Sequence, residues 1–171
     1  MAVTTDSRAI EHYFEDLPVP DMIWPEAHIV TREEIIDMAE RFEPIEFHLD
    51  ETAAQEIGAP ALVAPSVLIP ALVVKLVHQN TPRAAVIGVA NQDEVRFLEP
   101  VHAGDKLRLR TQLVEKREQD SLPDRGLVRT RFSLINQNDM EVFSTINSVW
   151  FRKRNASSSA ASDATNLSAG R

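Results

Sequence analysis

Apolar side chains follow two different periods along this chain, and the change comes near Ala84. Before it, Ile35, Met38, Ala39 and Phe42 recur at the spacing of one helical face. Thr31 stands at the expected N-cap with Glu34 three residues on, the spacing of a capping box, and Pro44 forces the break. Glu51 to Ile57 reads as a short helix that stops at Gly58. From Ser66 to Val77 nearly every position is apolar, which predicts a helix enclosed by the rest of the protein, with Ser66 as N-cap and Pro70 bending its first turns.

After Ala84 the period is two. Val86 to Val89 and Glu94 to Leu98 are predicted as short strands, the second with Val95 and Phe97 on one face. Leu107, Leu109, Thr111 and Leu113 alternate with Lys106, Arg108, Arg110 and Gln112, as in a strand with one face on a core. Val128, Thr130, Phe132 and Leu134 repeat the pattern with Arg129, Arg131 and Ser133 opposite, and a last strand runs from Met140 to about Arg152. Turns are expected at Gly104 and Asp105 and at Asn136 to Asp139, and a loop at Asp120 to Gly126. Tyr13 to Met22, with Pro18 and Pro20, suits an extended lead-in or edge strand. No internal repeat is present. The predicted class is α+β: a mostly antiparallel sheet assembled late in the chain, wrapped around a long apolar helix assembled early. The domain is placed at residues 1–154; the segment 155–171 is Ser and Ala with almost no large apolar residue and is expected to be disordered.

Composition narrows the classes. At 171 residues the chain is one domain, large enough to fold without staples. It has no cysteine, which removes disulfides, thiolate metal sites and cysteine nucleophiles and suits a reducing compartment. A net charge of −8 argues against nucleic acid as a partner. Met1 to Glu11 has no apolar core of a secretory signal, so the cytoplasm is expected. Ile57 to Val74 lacks charge, but Pro60, Pro65 and Pro70 interrupt it and Lys75 closes it, which predicts a buried segment and no membrane partner.

Candidate chemistry concentrates at Phe42 to Asp50. Glu43 leaves the first helix at or just past its C-terminus, and His48 follows five residues later across Pro44, so both are expected on irregular backbone. A carboxylate and an imidazole on one loop can share a proton or a water, the minimum for acid/base work near neutral pH; the plainer reading is a contact that ties the loop down. His12, His28, His78 and His102 show no partner pattern and suit surface or loop roles. No set of His, Asp and Glu has metal-ligand spacing, His48 and Asp50 alone being too common a pair, and no metal or cofactor is implied. The basic run Arg152 to Arg154 reads as a solvated strand end, with the phosphates of a ligand as the other reading.

A capped helix, then Phe-Glu-Pro-Ile-Glu-Phe-His-Leu-Asp (Phe42 to Asp50), Leu-Val-Ala-Pro-Ser (Leu62 to Ser66) and Glu-Val-Arg-Phe-Leu-Glu-Pro-Val-His-Ala-Gly-Asp-Lys-Leu (Glu94 to Leu107) resemble the MaoC-like acyl dehydratases of the hot dog fold, from about Tyr13 to Arg154. The last of these stretches concerns the fold. The resemblance implies that Glu43, where the family has aspartate, and His48 activate a water that adds across the double bond of a trans-2-enoyl-CoA to give an (R)-3-hydroxyacyl-CoA. It also implies that the backbone N–H of Ser66 polarises the thioester carbonyl. Pro65 and Ser66 stand where the family has a glycine-containing pair, and Ile45 stands where it has asparagine or glutamine. A single hot dog unit exposes a sheet edge, so a homodimer pairing two edges is expected. A non-catalytic acyl-thioester binding or assembly subunit, and a thioesterase, are the alternatives. Coenzyme A and a carrier protein are equally open as the acyl carrier.

Overall fold

The computed structural model describes residues 9–17 and 19–154; the tail predicted to be disordered and Pro18 lie outside them. Among the described residues, four α-helices precede most of the sheet. Strand β1 is Met22–Ile29, followed by α1 (Arg32–Phe42), α2 (Glu46–Leu49), α3 (Glu51–Glu56) and α4 (Leu68–Asn80). Strands β2 (Val86–Phe97), β3 (Lys106–Glu118), β4 (Arg125–Ile135) and β5 (Glu141–Arg152) complete the chain. The five strands form one antiparallel sheet in the order β1-β3-β4-β5-β2, with α4 packed on β1, β3 and β4. This is the α+β arrangement predicted from the change of period.

Thr31 does cap α1, its hydroxyl accepting the Glu34 N–H at 3.1 Å. The reciprocal half of the capping box is not made, because the Glu34 carboxylate lies 2.6 Å from His28 Nε2 and 3.5 Å from Lys75 Nζ. His28 therefore has a partner that its sequence position did not suggest. Ile35 and Ala39 are buried, but Phe42 is 58% exposed and drops out of the expected stripe.

Helix α4 starts two residues later than the sequence pattern predicts. Ser66 does not cap it; Val67 is the N-cap residue, with no side-chain cap of its own. Leu68, Ile69, Leu72, Val73 and Leu76 are buried, each contributing roughly 1.5–3 kcal/mol by leaving water. The opposite face is open: Val67 is 42% and Val74 53% exposed, so one chain does not enclose this helix as its all-round apolarity predicts.

The edge strand expected at Tyr13 to Met22 lies later, at β1, where Pro25 and a register shift between Ile23 and Ala27 interrupt the alternation. The two short strands expected between Val86 and Leu98 are one strand, β2, irregular enough to carry three register shifts and a positive φ at Glu94. Strand β4 is buried on both faces at its end, Ser133 to Ile135: Ser133, expected toward water, is 1% exposed and donates its hydroxyl to Glu141 at 3.2 Å. Gly126 belongs to β4 and not to a loop, and a Cβ there would overlap the Phe14 ring. The turns stand as expected, with φ +93° at Gly104 and the Asn136 side chain accepting the Asn138 and Met140 N–H groups. Among the described residues no helix is long and apolar enough to cross a membrane, and no group of three or more His, Asp and Glu could hold a metal ion.

Candidate active site

Pro44 ends α1 and leaves Glu43 as its C-cap residue, with the Glu43 N–H donating to the Ala39 carbonyl at 3.0 Å. The chain then winds one turn, α2, so His48 sits on a helix and not on the irregular backbone expected of it. That turn buries the imidazole to 3% exposure against Phe47, their rings edge to face with centroids 4.4 Å apart. The segment 62–66 lies alongside. Val63 N–H donates to the Phe47 carbonyl at 3.3 Å, and His48 Nδ1 lies 2.7 Å from the Val63 carbonyl. The same segment is tied to the sheet side by Ala64 N–H on the Val101 carbonyl at 2.7 Å and Ala103 N–H on the Leu62 carbonyl at 3.0 Å.

A carbonyl oxygen can only accept, so the bond to Val63 requires the proton on Nδ1. Nε2 is then the acceptor nitrogen of a neutral His48. It is buried, has no hydrogen-bond partner among the described residues, and faces Glu43 Oε1 at 3.8 Å. That gap is too long for a direct bond and short enough for one water to reach both atoms. The other carboxylate oxygen, Oε2, accepts the Ser66 hydroxyl at 2.8 Å and lies 3.4 Å from the Val67 N–H at the start of α4. Glu43, His48 and Ser66 line one cavity of about 340 Å³, closed on another side by Phe97 to Val101. The Ser66 N–H makes no hydrogen bond among the described residues.

All three residues singled out in the sequence thus meet in one place. Sequence reasoning missed the groups that orient them: the Val63 carbonyl, the Val67 N–H and the Ser66 hydroxyl. It also assigned the stretch Glu94 to Leu107 to the fold alone, whereas its residues Phe97 to Val101 form a wall of the cavity. Arg152 to Arg154 lie at the end of β5 remote from Phe143, which pairs with Phe97 beside the cavity. There Lys153 pairs with Glu118 at 2.8 Å and Arg154 with Asp16, which fits the plainer reading of that run. A second cavity, of about 400 Å³, lies at the other end of α4 among Trp24, Val77, Thr81 and Phe132, with His12 and Thr111 in its wall.

The MaoC like domain family matches residues 22–131, well over half of the chain. This chain belongs to the MaoC-like dehydratase domain family. A solved MaoC-like dehydratase from Rhodospirillum rubrum is 30% identical, with a TM-score of 0.73 over 83% of this chain and 98% of that one. A C-terminally truncated HadBC complex from Mycobacterium tuberculosis, a 3R-hydroxyacyl-ACP dehydratase, is 25% identical, with a TM-score of 0.61 over 78% and 98% of the two chains. The unliganded R-hydratase PhaJ1 from Pseudomonas aeruginosa, at 19% identity and a TM-score of 0.64 over 82% and 86%, shares the hot dog fold with this MaoC-like domain. No curated protein matches the MaoC-like chain.

Proposed function

We propose that this MaoC-like protein is a hydro-lyase of acyl thioesters, adding water to an enoyl thioester or removing it from the 3-hydroxyacyl form. One observation carries the proposal: Glu43 Oε1 and His48 Nε2, two acceptors, face each other at 3.8 Å across one cavity. A water there donates one hydrogen to each and turns a lone pair toward the substrate's C3. As the O–C3 bond forms, Glu43 takes one proton from the water and the C2=C3 π electrons move to C2. The same proton then passes to C2, so that H and OH have been added and the carboxylate is restored. Charge that develops on the thioester oxygen in between meets the Ser66 N–H at the positive end of α4. The names of two relatives, a 3R-hydroxyacyl-ACP dehydratase and an R-hydratase, support this class of reaction.

The domain, 1–154, is assigned to the cytoplasm, since a cysteine-free chain suits a reducing compartment. It acts as a homodimer. Strand β2 ends the sheet and exposes Val86, Val89, Val95 and Phe97, and α4 exposes Val67 and Val74 on its uncovered face. A second copy pairing β2 to β2 would continue the sheet and cover both.

Purified protein given crotonyl-CoA and longer or branched enoyl thioesters should consume the enoyl absorbance. A folded protein inert on all of them would leave the assembly-subunit alternative in its place, and release of free coenzyme A would make it a thioesterase. Sedimentation at micromolar concentration should give the dimer mass; a monomer there contradicts the edge pairing.

A further inference from the structure

The two oxygens of the Glu43 carboxylate have different surroundings. Oε2 accepts the Ser66 hydroxyl at 2.8 Å and is 3.4 Å from the Val67 N–H, while Oε1 faces His48 Nε2 at 3.8 Å. We propose that the Ser66 side chain is a positioning residue for Glu43: its hydroxyl pins Oε2 against the start of α4 and so makes Oε1 the oxygen that exchanges the proton. The proposal rests on the hydratase reading and adds to it a duty for the Ser66 hydroxyl, separate from that of the Ser66 N–H.

A glutamate reaches its carboxylate through three torsions, and the Glu43 side chain is 24% exposed, so without an anchor it would sample several rotamers. Neither neighbour can anchor it, since Pro44 has no N–H and Ile45 has no polar side chain. Among the described residues, Ser66 and His48 are the polar side chains recorded against the Glu43 carboxylate. A hydroxyl bond to a charged carboxylate is of the stronger kind, and the positive end of a 13-residue helix favours an anion at the same spot. The hydroxyl has no duty in the fold: Ser66 is exposed, and α4 begins beyond it at Leu68 with Val67 as its N-cap residue. The anchor acts on Glu43 and not on the substrate.

In the dimeric full chain, Ser66→Ala should lower kcat by roughly 10- to 100-fold, the scale of a misplaced catalytic group. KM should change by less than about two-fold, since ground-state binding is untouched. Ser66→Thr keeps the hydroxyl and should hold kcat within about three-fold of wild type, because the carboxylate stays in place. In Glu43→Asp the shorter arm cannot keep both Ser66 and His48, so adding Ser66→Ala should cost less than about two-fold more, a strongly non-additive pair. The ¹³C resonance of the Glu43 carboxyl, assigned with Glu43→Gln, should move in Ser66→Ala and return in Ser66→Thr. Wild-type kcat in Ser66→Ala, additive losses, or no recovery with threonine would each overturn the proposal. If wild type turns over no enoyl thioester the hydratase reading falls with its chemistry, and the carboxyl resonance alone decides the Ser66 contact, an unmoved resonance overturning that too.

Discussion

The two ends of α4 hold cavities of similar size, about 340 Å³ at the N-terminal end and about 400 Å³ at the C-terminal end. Each contains one buried imidazole nitrogen that has no hydrogen-bond partner among the described residues, His48 Nε2 in the first and His12 Nδ1 in the second. Among the described residues only His48 of the two has a carboxylate within 4 Å. In the larger cavity the Thr111 hydroxyl is already committed, donating to the Pro20 carbonyl at 2.8 Å and accepting Trp24 Nε1–H at 3.0 Å. Volume and apolar lining are therefore shared by both ends of the helix. What distinguishes one of them is a pair of acceptors left facing each other at the end where the helix presents its positive pole.

The difference can be broken most sharply by removing each imidazole in turn. His48→Ala should lower hydration by about 10²–10⁴-fold, the range for a lost acid/base group, while His12→Ala should leave kcat within about two-fold. Equal losses from the two would erase the distinction between the cavities. Thr111→Val should act in the opposite sense. It strands the Trp24 N–H and should destabilise the fold by about 1–3 kcal/mol, read from the urea midpoint, with kcat of the folded enzyme unchanged.

A smaller effect should appear in acid, away from both cavities. The Asp50 carboxyl is held below the ordinary carboxylate range by the Ala53 N–H that it accepts at the start of α3, and Arg32 adds to this. Asp21 is held low by its bonds to Gln112 and Arg110, which tie β3 to the start of β1. Because both folded-state values are depressed, their contribution is complete above the ordinary range and is lost as pH falls through the lowered values. The melting temperature should fall over that acid window. Asp50→Asn should flatten the fall, and an unchanged profile in that variant would remove Asp50 from the account.

Much of the fold was legible because it depends on side-chain period. The α1 stripe and the alternation of Leu107, Leu109 and Thr111 are visible in the residues themselves. Strand β1 was missed because Pro25 and its register shift break the alternation inside it. Ser133 misled because a strand buried on both faces carries no alternation of burial to read. The open face of α4 could not be foreseen, since Val74 looks the same in a sequence whether its own chain or a second one covers it. At the site, Glu43 and His48 stood out by residue type and spacing. The Val63 carbonyl and the Val67 N–H did not, because every residue carries a carbonyl and nearly every one an N–H, and only the folded chain shows where they point.

The paired segments Leu62 to Ala64 and Val101 to Ala103 have a mechanical consequence. One of them holds the His48 ring through its Val63 carbonyl and leads directly into Ser66, while the other continues the wall that begins at Phe97. Backbone hydrogen bonds fasten the two together, and a third fastens the first to α2. The walls of the cavity are thus riveted to one another as a frame, and none is a free flap. Such a frame predicts that a guest threads into it without any wall swinging shut, and that Glu43 and His48 keep their spacing when it enters.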